Sequence, residues 1–173
     1  MTASEQHPVR LRVAHLNPNA PTPFALRPDG ALRAEIAQDL GIDAVTRLDF
    51  TGDIRAEGRD GWHLRATLRA RVTQACVVTL RPVKSDIDDA VDLHFSPHAT
   101  TPDGDEVEMG DETLEPLGSF IDLTAIMTES LALSLPQYPR VDGAELDQPD
   151  PEPESGDTRR PFAGLDKLLN RDS

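Results

Sequence analysis

The sequence has a single cysteine, no long apolar run and no segment typical of a signal peptide. The one cysteine, Cys76, excludes a disulfide within the chain. A membrane-spanning helix needs a run of about 18 apolar residues, and a signal peptide needs a charged segment followed by an apolar one. The sequence offers neither pattern. These absences predict a soluble cytoplasmic protein with no membrane contact.

Positive charge and aromatic residues are also scarce. The 173 residues include 17 Lys and Arg against 31 Asp and Glu, which gives a net charge of −14. A surface of that average sign repels nucleic-acid phosphates, so any RNA contact has to be local. Aromatic residues make up 4% of the chain, so the core must be built from Leu, Val, Ile and Ala. The length suits one domain with tails.

The motifs of common enzyme sites are missing as well. The sequence contains no phosphate-binding loop, no dinucleotide-binding glycine pattern, no GxSxG elbow and no pair of catalytic carboxylates in a defined frame. The acidic residues between 103 and 112 lack the spacing of a calcium-binding loop. The sequence therefore predicts a protein that is not an enzyme and that has no cofactor.

Alternation of apolar and polar residues predicts the strands. Residues 9–16 alternate and predict a first strand, whereas residues 17–30, rich in Pro and Asn, predict a loop or an irregular edge. Three more strands are predicted between residues 45 and 95. Gly52 interrupts the apolar face of the first of these and predicts a bulge. The second should bury one row of side chains, namely Trp62, Leu64, Ala66, Leu68, Ala70 and Val72.

Turns and helices complete the predicted fold. Asp60 and Gly61 predict a hairpin, and residues 81–83 predict the next turn. Leu32, Ile36 and Leu40 recur every four residues and predict a helix, with Asp29 as its cap and Gly41 as its end. Residues 96–121 predict a long acidic loop, and a second helix is predicted from its cap, Asp122, to Pro136. The result is an α+β fold, an antiparallel sheet of about four to six strands with one helix before and one after the main strands.

A row of arginines is the one organised basic feature of the sequence. Arg65, Arg69 and Arg71 share the outer face of one predicted strand. The next strand places an acidic row on its outer face, formed by Asp86, Asp88 and Asp92. If the two strands are antiparallel neighbours, opposite charges face each other across the ladder. An internally paired face is the favoured interpretation, and an RNA-binding face is the alternative, although the face lacks aromatic residues for base stacking.

Cys76 lies in the stretch QACVVTL, which is rich in strand-forming residues. Its alternation with Gln74 and Val78 predicts the outer face of the strand, or a bulge that changes face. A catalytic thiolate needs a nearby histidine, cation or helix start, so a buried or edge structural cysteine is favoured over a nucleophile. The histidines are scattered, at positions 7, 15, 63, 94 and 98, so the sequence predicts no metal site.

The composition changes after Pro139. Residues 1–139 are predicted to form the α+β domain, and residues 140–160 an acidic, proline-rich and disordered linker. Residues 161–173 predict a short amphipathic helix, too short to be stable alone. Its apolar face consists of Phe162, Leu165, Leu168 and Leu169. This segment either covers its own domain or docks into a partner.

Three motifs in order carry a resemblance to a known family. They are a Cys-x-x-x-Leu-x-Pro run through Cys76, Leu80 and Pro82, an Asp-Leu helix that ends in Leu-x-Leu-Pro, and the terminal Pro-Phe segment. The chain thereby resembles the YceD family, bacterial proteins with a role in the accumulation of large-subunit ribosomal RNA. Many members carry a Cys-x-x-Cys pair in this turn, half of a zinc site. Here Thr79 stands at the second position, which argues against a metal.

The resemblance implies a non-enzymatic factor that supports ribosomal RNA accumulation or ribosome assembly. Combined with the acidic charge, it leads to the hypothesis that the partner is a basic ribosomal or assembly protein, anchored by the terminal segment. Two alternatives stay open, a direct RNA-binding module that uses Arg65, Arg69 and Arg71, and an enzyme that uses Cys76.

Overall fold

A computed structural model of the chain describes residues 9–99 and 114–145. The chain divides into two units, residues 1–142 and 143–173. All the helices and strands described here belong to the first unit, and of the second the structure describes residues 143–145. Most of the predicted linker and the whole predicted docking segment lie outside the described residues, so both stay predictions.

The described part of the first unit contains seven strands and two α-helices. In chain order they are β1 (Arg10–Arg12), β2 (Thr22–Leu26), α1 (Gly30–Asp39), β3 (Ala44–Glu57), β4 (Gly61–Ala75), β5 (Pro82–Ser96), β6 (Leu114–Pro116), β7 (Phe120–Asp122) and α2 (Leu123–Ser134). The main sheet has the order β2-β3-β4-β5-β6, and β1 pairs with β7 in a separate two-stranded sheet. Neighbours are antiparallel except β5 and β6, which are parallel. The predicted α+β class is confirmed, with one parallel pair added.

The core lies on one face of the main sheet. The predicted inward row of β4 is buried at every position from Trp62 to Val72. The buried residues of both helices, such as Ile36 in α1 and Met127 in α2, belong to the same apolar cluster. Full burial of one such aliphatic side chain contributes about 1.5–3 kcal/mol. The opposite face of the sheet carries the charged residues, so the fold separates the core from the candidate functional face.

In the N-terminal region one prediction is wrong and one open alternative is decided. The strand predicted over residues 9–16 is limited to β1, because a 3₁₀ turn follows at Val13–His15. The segment predicted as a loop or an irregular edge contains β2, an edge strand that pairs with β3, so the second alternative is the one observed. Pro23 lies within this strand, which is tolerated because β2 is at the sheet edge, where one side of the backbone needs no partner strand. Phe24 of β2 contacts Phe50, with ring centroids 5.3 Å apart.

Both predicted helix starts are confirmed by their caps. The Asp29 carboxylate accepts a hydrogen bond from the N–H of Leu32 at 2.9 Å. The Asp122 carboxylate accepts from the N–H groups of Thr124 and Ala125, both at 3.1 Å. Beyond α1, the chain turns at Gly41, whose φ is +63°. No helix in the described part of the chain is long and apolar enough to cross a membrane.

Three further predictions are wrong. The irregularity in β3 lies between Val45 and Arg47, and Gly52 pairs in regular register with Ala66. The turn after β4 does not lie at residues 81–83, because Pro82 already belongs to β5. The acidic stretch 96–121 is not all loop, since β6 and the start of β7 lie within it. These two strands have three residues each, which is too short for alternation to reveal them.

Candidate functional site

The outer face of β4 and β5 carries the predicted ladder of opposite charges. The register pairs Arg65 with Asp92, Arg69 with Asp88, and Arg71 with Asp86. The closest pair is Arg71 with Asp86, joined by two hydrogen bonds of 2.6 and 3.1 Å from Nε and the terminal nitrogen. Arg69 Nε lies 3.1 Å from Asp88, and Arg65 Nε lies 3.4 Å from Asp92. All six side chains are more than half exposed, so the ladder faces solvent.

Strand β3 extends this charge pattern on the other side of β4. Arg65 stands opposite Asp53 and Arg69 opposite Asp49, so each lies between two acidic positions. Arg71 stands opposite Arg47, whose Nε donates to Asp49 at 2.6 Å. Each arginine of the row therefore faces at least one carboxylate on a neighbouring strand.

The ladder also affects protonation at its acidic side. The hydrogen bond from Arg71 lowers the pKa of the Asp86 carboxyl, and the charges of Arg71 and Arg47 add to the effect.

Residues 9–99 hold 12 Lys and Arg and 12 Asp and Glu, so this part of the chain is neutral. The net charge of −14 therefore comes from residues 1–8 and 100–173 and does not come from strands β2 to β5.

A histidine pair continues the same face beyond Arg65. His63 of β4 stands opposite His94 of β5, and the rings stack with centroids 4.1 Å apart. The histidines look scattered along the sequence, and the pair was not predicted. The signal was present, because the register that sets Arg65 against Asp92 also sets His63 against His94. The prediction of no metal site is not tested by this arrangement.

Cys76 lies in the turn between β4 and β5, and not on the outer face of a strand. Its N–H donates to the carbonyl of Arg81 at 2.8 Å, and its carbonyl accepts from Leu80 at 2.9 Å. Leu80 adopts a left-handed backbone, with a φ of 58°, to close this turn. The side chain of Cys76 is fully buried, which agrees with the structural role favoured from sequence. The predicted outer position is wrong because the strand ends at Ala75 before the alternation reaches residue 76.

Hydrogen bonds to the Cys76 sulfur join the turn to a distant segment. The sulfur accepts the backbone N–H groups of Thr79 and Val141, each at 3.5 Å, and Val77 donates to the carbonyl of Pro139 at 2.9 Å. Hydrogen bonding from the Thr79 side chain and then from the Val141 backbone lowers the pKa of the Cys76 thiol to about 6, against the opposing effect of desolvation. The thiolate is favoured, but a buried sulfur presents no surface to a substrate.

An apolar groove, which the sequence patterns did not predict, lies between α1 and α2 beside β1. Its volume is about 780 Å³. The lining consists mainly of Val9, Leu32, Leu40, Ala125, Thr128 and Ala132. Glu129 adds an acidic group to the lining, and Asp122 pairs with Arg10 at 3.1 Å at the same place. The four predicted docking residues Phe162, Leu165, Leu168 and Leu169 lie outside the described residues.

Comparison with known proteins gives one result. The family model described as "Large ribosomal RNA subunit accumulation protein YceD" matches residues 64–169. No curated protein and no solved structure matches the chain. The matched residues include most of β4 and all of β5 and α2, and they contain the arginine row, the Cys76 turn and Thr79. This match spans more than half of the chain, and the chain therefore belongs to the YceD family.

Proposed function

We propose that this chain is a non-enzymatic factor that supports the accumulation of large-subunit ribosomal RNA by binding a basic ribosomal or assembly protein. The family description supplies the ribosomal RNA role. The observation that carries the protein-binding part is the charge ladder, in which every arginine of the one basic row faces a carboxylate across the strands. The site of action is the cytoplasm.

The ladder disfavours direct binding of RNA phosphates. Affinity for a nucleic-acid backbone comes largely from cations that replace its condensed counterions. The carboxylates of Asp86 and Asp88 already neutralise Arg71 and Arg69, at 2.6 and 3.1 Å. An incoming phosphate would compete with these fixed anions and would be repelled by them. The row therefore contributes much less to RNA binding than three separate arginines would.

The acidic charge and the groove favour a basic protein instead. Residues 114–145, which include α2, hold five Asp and Glu against one Arg. Opposite charge on a partner speeds its association, and an apolar groove gives its apolar side chains a place to bind. We expect a basic partner segment with an apolar face to occupy the groove beside Glu129. The terminal residues Phe162, Leu165, Leu168 and Leu169 are a second proposed anchor.

The test is a pull-down from lysate with and without RNase, at low and high salt. Basic proteins should be retained after RNase and should dissociate as salt rises, because salt screens the attraction between opposite charges. Ala125→Lys with Ala132→Lys places two exposed cations in the groove and should reduce retention. Ala31→Lys with Gln38→Lys, at two exposed positions of α1 outside the groove, is the control of equal charge change. A complex that neither salt nor the groove variant weakens would contradict the proposal.

Direct RNA binding is the second candidate, because the three arginines stay between 56% and 69% exposed. Arg69→Gln with Arg71→Gln removes two cations without placing new acids beside Asp86 and Asp88. A control of equal charge change replaces two exposed arginines off the row, Arg59 and Arg140, by Gln. If the purified chain binds RNA, and if Arg69→Gln with Arg71→Gln weakens that binding while the control does not, the function lies in RNA binding by the sheet face.

The Cys76 enzyme alternative is tested in the same assay. Cys76→Ala should leave partner retention intact in any variant that is shown to be folded, because a buried structural sulfur contributes packing and hydrogen bonds only. A folded Cys76→Ala variant that retains the partner but no longer supports ribosomal RNA accumulation in cells would favour the enzyme hypothesis.

A further inference from the structure

Three strands bring two imidazoles and two carboxylates together at one end of the sheet. His63 lies near the start of β4, Asp92 and His94 near the end of β5, and Glu57 at the last position of β3. Glu57, His63 and His94 each offer one ligand atom within 4.8 Å of the others. The Cys76 turn follows the other end of β4, so this cluster is separate from the family's cysteine motif. His63 and Glu57 also precede the residues that the family model matches.

The atoms of the cluster converge on one carboxylate oxygen. Asp92 Oδ1 lies 2.5 Å from His63 Nε2 and 3.4 Å from His94 Nε2. The other ring nitrogen of His94, Nδ1, lies 2.6 Å from Glu57 Oε2. Both imidazoles thus present Nε2 toward the same point, and Glu57 fixes the orientation of the second ring from behind. Metal-binding histidines are commonly held in this way, with the free ring nitrogen bonded to a carboxylate.

We propose that His63, His94 and Asp92 bind a divalent transition-metal ion of the zinc class, with Glu57 as the carboxylate that orients His94. Imidazole nitrogen and carboxylate oxygen are ligands that suit Zn²⁺, which binds them at about 2.0–2.2 Å. Two histidines and one carboxylate leave a coordination position for water or for a partner's side chain. A ring nitrogen must be deprotonated to bind a metal ion, so the affinity should fall at low pH.

The surroundings hold the two rings in place and leave the ion accessible. The side chains of His63 and His94 are 14% and 33% exposed, and both belong to long central strands, so neither ring has to be ordered by the ion. Asp92 and Glu57 are about half exposed, so the ion can enter from solvent. Arg65 lies 3.4 Å from Asp92 and gives up part of that contact when the ion binds.

One further cation stands near the cluster. Arg55 is opposite His63 in the β3–β4 register, but its guanidinium donates to Asp53 at 2.6 Å, so its charge is already matched. The two carboxylates Asp92 and Glu57 outnumber the one remaining nearby arginine, Arg65, so the local charge favours a cation.

The experiment titrates the purified full chain with Zn²⁺ in competition with a chromophoric chelator. We expect one ion per chain. His63→Ala, His94→Ala and Asp92→Asn should each weaken the affinity by more than about tenfold, and Glu57→Gln by about tenfold, the range measured for residues that orient a ligand. His15→Ala, an exposed histidine outside the cluster, should leave the affinity unchanged.

Co²⁺ provides a second readout that does not depend on the variants. Its visible absorption should report nitrogen and oxygen ligands, and the thiolate charge-transfer band should be absent. Cys76→Ala should leave the Co²⁺ spectrum as it is. The proposal is overturned by the absence of saturable Zn²⁺ binding, by equal affinity in folded cluster variants and wild type, or by a site that Cys76→Ala abolishes.

Discussion

Gly52 lies at a close approach between two strands. It pairs with Ala66, and a Cβ added at position 52 would lie 2.1 Å from the carbonyl oxygen of Arg65 and 2.6 Å from the Cα of Ala66. Both of these are backbone atoms, so no side-chain rotation can relieve the overlap. Glycine in a strand usually weakens it, but here its lack of a side chain is what allows β3 and β4 to pair in this register.

We expect Gly52→Ala to destabilise the domain by about 3 kcal/mol or more, because the added methyl group must push two backbones apart. Thermal unfolding followed by circular dichroism measures the effect. Gly118→Ala is the matched control, since the nearest atom to its added Cβ is 3.9 Å away. Equal melting temperatures for the two variants would refute the close approach.

Cys76 is a buried thiol with a pKa of about 6, lower than the about 8.5 of an unfolded chain. A group whose pKa falls on folding stabilises the native state above its unfolded pKa, and that contribution is lost as pH falls through the folded value. As the pH falls from 9 to 6, the contribution of the Cys76 thiolate to the free energy of unfolding should therefore decrease.

Chemical denaturation of wild type and Cys76→Ala at several pH values tests this contribution. The difference in their unfolding free energies should grow from pH 6 to pH 9, whereas the packing loss on removing the sulfur should not vary with pH. A difference that stays constant over this range would show that the native protein holds the neutral thiol.

At the scale of elements, β4 and β5 form the part of the fold that the sequence predicts best. Each has 15 residues, long enough for alternation to separate an apolar row from a charged one. The charged rows also predict the pairing, since arginines and aspartates match in one antiparallel register. β2 could not be recognised in the same way, because Pro23 argues against a strand unless its edge position is already known.

Only those parts of the candidate site that depend on the register of β4 with β5 could be predicted from the sequence. The arginine and aspartate rows were paired from sequence, and His63 with His94 could have been. The place of Cys76 could not, because its turn is hydrogen-bonded to Pro139 and Val141, more than 60 residues away along the chain. The groove between α1 and α2 depends on how two helices pack, which the pattern of each helix alone does not specify.

A double-mutant cycle on Arg71 and Asp86 measures the strength of the ladder. Arg71→Gln and Asp86→Asn should show a favourable coupling at pH 7 that shrinks in high salt, because both groups face solvent. The pKa of Asp86 is lowered in the folded chain, so the coupling should persist above the unfolded value of about 3.9 and disappear as pH falls through the folded value. A coupling that is the same at low and neutral pH would contradict the ion pair.

For the whole molecule, the distribution of charge matters more than its total. Residues 9–99 are neutral, while residues 100–113 hold six acids and no base. Average charge alone is therefore a poor guide to the sheet face, and the specific pairs decide what that face can bind. It is a better guide to long-range attraction, in which the net negative charge of the whole chain would draw the proposed basic partner toward it.

The terminal segment provides a test at this scale. We expect Phe162→Ala with Leu165→Ala, or a chain that ends at Asp157, to reduce retention of the basic partner and to leave the melting temperature unchanged. The physical reason is that an amphipathic segment docked on a partner adds nothing to the stability of the free domain. A melting temperature lowered by several degrees would mean that the segment packs on its own domain.

The segment at residues 139–141 closes the turn that holds Cys76, and β7 at residues 120–122 holds β1 in place. A chain made from its N-terminus acquires both contacts late. The sulfur of Cys76 lacks one of its hydrogen-bond donors until Val141 has left the ribosome. Strand β1 lacks its partner until β7, more than 100 residues later in the chain, has been synthesised. Synthesis of the domain should therefore pass through a stage in which the long hairpin is complete but Leu11 and Cys76 are still exposed, and stalling at that stage would leave a chain that proteases can cut.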